Sequence, residues 1–295
     1  MEIVIQRTFI RIFSYFLCIL YAFSLSLEAC TLWAAAGTEL HDGGTLIAKN
    51  RDWDAEYKQE LRIVHPENGF SYFGIFVDIN NQPELKAGVN IHGLVAISAS
   101  VSSIPQKERE KLPHTPALLQ KLLKNWKSVD EALSHQDWFL GPRFVMLADK
   151  VKIALIEIAP DGKLSIDQKL NGVLFHANHY VSEEFIWANK VKKDSSLRRQ
   201  ERICSLMSKA GKKFYLGDFI TISNDRSAGP DNSIWRTGSS VNSTRTHATW
   251  IVFQPFTGDA RLYLKLANKG EQEKEYNLFL KEVFSNQQKI TQDFK

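Results

Sequence analysis

Residues 30–53 read CTLWAAAGTELHDGGTLIAKNRDW, from Cys30 to Trp53. An apolar run follows Cys30, a turn follows at Asp42-Gly43-Gly44, and a second apolar run ends in Lys49-Asn50-Arg51-Asp52-Trp53. Two apolar runs around a Gly-containing turn predict two short strands joined by a hairpin. The cysteine stands directly after a stretch with the layout of a removable leader. If the chain is cut before Cys30, the first strand begins with a free α-amine and a thiol on one residue. A nucleophile and a general base then sit on the same residue.

The segment before Cys30 decides whether that happens. Arg7 and Arg11 give a positive start, and Phe13 to Leu27 is an uncharged run of 15 residues, short for a membrane span. Ala29 suits the residue before a signal cleavage site. The expectation is a secretory signal over residues 1–29 and one domain over 30–295, in a secreted or periplasmic protein. An uncleaved anchor helix is one alternative. A lipoprotein signal is another, because Leu27-Glu28-Ala29-Cys30 resembles a lipobox; lipid on Cys30 would block both its amine and its sulfur.

The chain has 295 residues, 44% hydrophobic and 24% charged, which suits an ordinary globular domain with a sizeable core. Net charge is +4, and Lys and Arg are scattered without interleaved aromatics, so nothing points to nucleic acid. Of three cysteines, Cys18 lies in the leader, leaving Cys30 and Cys204, too few for a disulfide framework. Cys204 falls in an expected helix, Arg199–Lys209, and reads as a small buried hydrophobe.

Further along, Arg62–Pro66 and Phe70–Ile79 read as strands around a Pro-Glu-Asn-Gly turn. Asn90 reads as a turn residue and His92 as a loop residue, before a strand reaching Ser100. Residues 105–115 read as surface loop. Apolar spacing predicts a helix from Pro116 to His135, broken at Ser128, which caps a second segment. Phe144–Ala148 and Lys152–Ile158 read as a hairpin, Leu164–Leu170 as a strand, and Thr246–Gln254 with Arg261–Leu266 as a closing hairpin. Gly172–Tyr180 is a β-run delivering Asn178 at its end. His176 and His179 have an H-x-x-H spacing, but that spacing binds metal on a helix, whereas this run is a strand. No metal or cofactor is expected. Asp194–Arg202 begins a helix with Ser195 and Ser196 as caps. A short amphipathic helix is expected around Tyr276–Phe284. Strands with two helical zones suit an α+β sandwich.

The leading Cys30-Thr31, the Gly-containing turn and Asn50-Arg51-Asp52-Trp53 resemble the choloylglycine hydrolase and penicillin-acyltransferase superfamily, cysteine-type N-terminal-nucleophile hydrolases. Gly88-Val89-Asn90 with Gly93-Leu94, the Asn178-His179 pair and Ser233-Ile234-Trp235-Arg236 resemble further elements of that group, with Trp235 where the acyltransferase branch has cysteine. The resemblance implies the four-layer αββα N-terminal-nucleophile sandwich. It also implies hydrolysis of a linear amide in a small N-acyl compound, through a thioester on Cys30. Asp52 would hold the amine, Asn178 with a backbone N–H near Ser98–Ser100 would bind the oxyanion, and Arg199 would lie near the nucleophile. Lys49 stands where the family has arginine, and Ser100 where one branch has asparagine. Acyl transfer to an amine, or an anchored binding protein without catalysis, are the alternatives on the same fold. The partner expected is a small N-acyl amide, with membrane contact only through the leader or a lipid on Cys30; a homo-oligomer is compatible with the sequence.

Overall fold

The stretch from Cys30 to Trp53 folds as the hairpin its pattern predicts, with strand β1 at Ala29–Ala36 and strand β2 at Thr45–Trp53. The computed structural model describes residues 29–53, 56–79, 82–208 and 211–285. The expected leader up to residue 28, and the tail beyond 285, lie outside the described residues. The connection needs its glycines. Gly44 has φ +77°, and a Cβ there would lie 1.9 Å from the Gln254 carbonyl oxygen. Only glycine allows that close approach without a clash.

Pairing extends outward from this hairpin. The first sheet has the order β10-β1-β2-β11-β12-β13, with β10 at Gly172–His176, β11 at Arg245–Gln254, β12 at Arg261–Leu266 and β13 at Lys274–Phe279. The second runs β3 to β9 in sequence order: Glu60–Val64, Tyr72–Ile79, Gln82–Asn90, Val95–Ser100, Arg143–Ala148, Ile153–Ile158 and Leu164–Lys169. All pairings between these strands are antiparallel. Helix α1 is Gln106–Arg109, α2 Leu118–Asn125, α3 Val129–Leu133, α4 Asp194–Met207, α5 Leu216–Ser223 and α6 Leu280–Ser285.

Alternation along the strands builds three apolar layers. Cys30, Leu32, Ala34 and Ile47 face Phe73, Val89, Ile97 and Met146 between the two sheets. The other face of the second sheet packs on α2 and α3 through Leu118, Leu122, Val129 and Leu133. The other face of the first sheet packs on α4 and α5: Trp33, Ala35 and Ala48 meet Ile203, Met207 and Phe219. The result is four layers, αββα.

Several expectations change. Of the helix expected around Tyr276–Phe284, the part from Leu280 is helical, while residues 276–279 belong to β13 and extend the first sheet, because Tyr276 and Leu278 point to its core while their neighbours are exposed. Cys204 is exposed on α4, since the buried stripe of that helix runs through Ser196, Arg199, Ile203 and Met207. The backbone before α4 caps at Lys193, with no side-chain cap, so Ser195 and Ser196 are not capping residues. The loop at 105–115 contains α1. Ser128 does cap α3, accepting from the Glu131 N–H at 3.2 Å.

Candidate active site

Strand β10 delivers Asn178 beside the start of β1. The Cys30 N–H donates to Asn178 Oδ1 at 3.0 Å. Arg199 reaches the same place from α4. Its Nη1 donates to the Cys30 carbonyl at 2.8 Å and to Thr31 Oγ1 at 2.9 Å, and its Nη2 donates to Asn178 Oδ1 at 2.9 Å. Both backbone polar groups of Cys30 are thus held by two side chains that also hold each other. Asn178 Nδ2 donates to the Ser100 carbonyl at 2.8 Å, and the Asn178 carbonyl accepts from the Ser102 N–H at 2.8 Å. The Asn178 turn therefore ties the first sheet to the end of β6. Arg199 is 1% exposed. Burial pushes its guanidinium down to about 10, with the Asp52 charge opposing that shift.

Asp52 lies on the opposite strand, in register with Ala29. Its Oδ1 accepts from Thr246 Oγ1 at 2.7 Å, and its Oδ2 is 3.7 Å from Arg236 Nη1. Oδ2 is buried without a hydrogen-bond partner among the described residues. Burial raises the carboxyl above its usual range, opposed by Arg236, Arg199, the Thr246 hydroxyl and Arg51. Thr246 is aimed by a bulge: the β11–β2 register shifts between Thr246 and Ala248, leaving His247 as the extra residue. Thr246 and Arg236 lock each other, since Thr246 Oγ1 accepts from the Arg236 N–H at 2.8 Å and the Arg236 carbonyl accepts from the Thr246 N–H at 2.9 Å.

Lys49 faces the other way. The side chains of Lys49 and Arg51 share the inter-sheet face with Leu32 and Cys30, their partners in register. Lys49 Nζ donates to the Lys86 carbonyl at 2.7 Å and the Ser98 carbonyl at 2.5 Å, crossing from one sheet to the other. The end of β6 therefore meets the site through carbonyl acceptors: Ser98 O takes Lys49 and Ser100 O takes Asn178. Asn50 braces the scaffold, because its amide donates to the Ser223 and Ile234 carbonyls and accepts from Thr249 Oγ1.

The turn carrying Asn178 is itself braced. Its N–H donates to Ser196 Oγ at 3.0 Å, which leaves the Ser196 hydroxyl proton for His179 Nδ1 at 2.8 Å. Burial, then the His176 and Arg199 charges, push His179 down to about 4, so the ring is neutral and accepts at Nδ1. Beneath it Glu157 binds His176 Nε2 at 2.7 Å, the Val181 N–H at 2.9 Å and Ser182 Oγ at 2.6 Å. His176 and His179 thus serve different networks, and no group of His, Cys, Asp and Glu among the described residues is arranged to hold a metal. Asn90 caps: its amide donates to the Leu123 and Trp126 carbonyls at the end of α2.

The structure brings Cys30, Asn178 and Arg199 into direct contact, sets Asp52 on the adjacent strand, and places Lys49 on the thiol face. Sequence reasoning misses Arg236, Thr246 and Ser196. Arg236 ends the Ser-Ile-Trp-Arg element, which by composition reads only as a turn. Thr246 carries no local signal, because its role depends on a bulge. Ser196 has the sequence position of a cap, and that position hides its contact with the Asn178 turn.

Two antiparallel sheets packed face to face, with helices outside and a cysteine at the start of a central strand, define the N-terminal-nucleophile hydrolase fold. Solved structures agree. A variant of the conjugated bile acid hydrolase from Clostridium perfringens matches with TM-score 0.57 at 14% identity, covering 85% of this chain and 93% of that one. Penicillin V acylase from Agrobacterium tumefaciens matches with TM-score 0.51 at 14% identity, covering 85% and 86%. A Caenorhabditis elegans N-acylethanolamine-hydrolyzing acid amidase ortholog matches with TM-score 0.52 at 11% identity, covering 75% and 92%. A search of curated protein sequences found no match. Residues 40–269 match the model of the acyl-coenzyme A:6-aminopenicillanic acid acyl-transferase family, and the chain belongs to that family.

Proposed function

We propose that the protein is an exported amidohydrolase in which Cys30, freed by cleavage after Ala29, attacks the carbonyl of a linear N-acyl amide. The observation that carries this is the clasp of Asn178 and Arg199 on the backbone of Cys30. A buried arginine spent on fixing one residue's main chain fits a residue whose position matters for chemistry.

The faces of β2 support a division of labour. The Cys30 side chain points between the sheets, with Lys49 and Arg51. The backbone nitrogen lies at the strand's edge, next to the register position of Ala29 and Asp52. With residues 1–29 removed, an amine with more hydrogens than the amide replaces the single N–H on Asn178. Asp52 Oδ2, buried without a hydrogen-bond partner among the described residues, is the acceptor suited to it. The free amine has a reference pKa near ~8 and takes the thiol proton. The thiolate adds to the carbonyl, and the second Nδ2 hydrogen of Asn178 stabilises the oxyanion. The C–N bond then breaks as the α-ammonium returns its proton to the leaving nitrogen. Water, deprotonated by the same amine, hydrolyses the thioester to acid and free thiol.

The test is intact mass of the exported protein, followed by incubation with an acyl amide or activated ester. The expected result is a chain beginning at Cys30 that gains one acyl mass on that residue. Full turnover by Cys30→Ala, or a lipid adduct on Cys30, refutes the scheme. Family membership favours a second reading, acyl transfer to an amine acceptor. Release of a new amide in place of free acid, when amines are added, would select it.

A further inference from the structure

Glu157 stands where strand alternation expects an apolar residue. In β8 the side chains of Ile153 and Leu155 point between the two sheets, and those of Ala154, Ile156 and Ile158 point to the outer helices. Alternation puts Glu157 with the first set, and it is 2% exposed. A carboxylate there loses its water and needs donors in its place. All of its described donors come from one stretch of chain: His176 Nε2 at 2.7 Å, the Val181 N–H at 2.9 Å, the Ser182 N–H at 3.3 Å and Ser182 Oγ at 2.6 Å. Burial works to raise this carboxyl, but the His176 bond and charge, the Ser182 hydroxyl and the Val181 N–H hold it below the usual range. The other ring nitrogen of His176, Nδ1, faces the Ala177 carbonyl at 3.0 Å, so both nitrogens meet acceptors and both donate. Tyr180 adds a tie to the same strand, its hydroxyl donating to the Ile158 carbonyl at 2.7 Å.

These donors bracket Asn178. His176 comes before it in the chain, and Val181 and Ser182 come after. Both flanks of the turn are thus pinned to one carboxylate on the facing sheet, while the Ser102 N–H and Ser196 Oγ hold the Asn178 backbone. An ion pair in the interior gains little stability, because its desolvation offsets its attraction. It does fix a turn well, since several bonds converge on one rigid strand. We propose that Glu157 is a positioning residue for acyl transfer: it holds the Asn178 turn where the amide Nδ2 reaches the oxyanion formed at Cys30. Glu157 contacts neither Cys30 nor Asn178 in any described hydrogen bond or ion pair, and acts through His176 and residues 181–182. The assignment rests on Cys30 as nucleophile.

The experiment compares two reactions of the exported protein at Cys30. Acylation by p-nitrophenyl phenylacetate passes through an oxyanion, whereas alkylation by iodoacetamide does not. Glu157→Gln keeps the volume but sets an amide NH2 against N–H or O–H donors. It should slow acylation about tenfold per titrated thiol and leave alkylation within about twofold of the parent. In an Asn178→Ala background the same change should slow acylation no further, because the group it positions is gone. Ser182→Ala loses one of the bonds and should show the same pattern at about threefold; it decides the matter if Glu157→Gln yields no folded protein. A parallel fall in both reactions, an undiminished effect in the Asn178→Ala background, or acylation at the parental rate overturns the positioning role and leaves Cys30 as nucleophile. A parent that is not acylated at Cys30 overturns the nucleophile reading, and the positioning role, with no oxyanion to serve, falls with it.

Discussion

Asn178 offers a perturbation in which stability and turnover should move in opposite orders. Its side chain accepts from the Cys30 N–H and from Arg199, and donates to the Ser100 carbonyl. Asn178→Ala removes all three bonds. Each unsatisfied group costs about 1–3 kcal/mol, and because they share one site a combined loss of about 3 kcal/mol is expected. In a chain of this size that lowers Tm by roughly 6–12 °C. Asn178→Asp behaves differently. It keeps both acceptor bonds and turns the one from Arg199 into an ion pair, but it sets a carboxylate oxygen against Ser100 O. Its stability should stay within about 2 kcal/mol of the parent. Turnover reverses the ranking. Loss of the amide donor costs about 10²–10³ in kcat for alanine. Aspartate also places a negative charge beside the developing oxyanion and should cost more than that. The assay pairs thermal unfolding with amine release on the same preparations. If the asparagine served only as a clasp, activity would follow stability and alanine would be the worse variant on both measures. That outcome, or aspartate turning over within about tenfold of the parent, would refute the oxyanion role.

Asp52→Asn should lower kcat/KM and shift the acid limb of the pH–rate profile downward, because a carboxylate stabilises the ammonium form of the Cys30 amine and asparagine does not; an unmoved limb would remove Asp52 from the amine. His179 is held neutral in the fold, down to about 4, while the unfolded ring titrates near ~6.5. The stability it contributes is complete above pH ~6.5 and is lost as pH falls toward about 4, so His179→Gln should flatten the denaturation midpoint over that window; an unchanged slope would count against it. Lys49→Met removes the ammonium that joins the Lys86 and Ser98 carbonyls, and chemical denaturation should show a loss of about 2–4 kcal/mol. Gly44→Ala combines φ +77° with a 1.9 Å clash against the Gln254 carbonyl and should cost at least about 2 kcal/mol by the same measurement.

The parts legible in the sequence are those written in local periodicity. Residues 30–53 show an apolar run, a Gly turn and a second run, and that hairpin forms the centre of the first sheet. The helical spacing after Pro116 and the capping Ser128 also correspond to observed elements. Residues 274–279 resist sequence reading because the tail's apolar residues are few. Their packing partners, Leu262 and Leu264 on β12, settle the choice between strand and helix. Helix α5 gives little signal, since its run Leu216–Ser223 is apolar but short, and its position is fixed by Asn50 gripping the Ser223 carbonyl from another strand. Local pattern says nothing of such a grip. The same holds for Arg236 and Thr246. Their link to Asp52 spans 194 residues for Thr246, and it depends on a bulge at His247 that no alternation reveals.

The face on which each residue of β2 falls resolves an apparent conflict in the site. Lys49 and Asp52 are three positions apart, and an unbroken strand sends them to opposite faces. The β1–β2 register runs without a shift from Ala29–Asp52 to Ala36–Thr45, so no bend brings them together. A nucleophile on an internal residue would need both groups at one atom, and this geometry would fail. A nucleophile on the first residue of a strand does not, because its two reactive groups diverge. In the proposed scheme the thiol projects onto the face that Lys49 shares, while the Cys30 nitrogen, freed by cleavage, lies at the strand end beside the register position of Asp52. Lysine in place of arginine at position 49 then changes the thiol side alone. Its ammonium spans to two carbonyls of the second sheet, which a point charge with rotatable donors does well and a planar fork does differently. The proposed base side, where Asp52 meets Thr246 and Arg236, is untouched by that exchange. On this argument Lys49→Arg should alter the thiol's reactivity toward alkylating agents and leave the acid limb of the pH–rate profile where it stands.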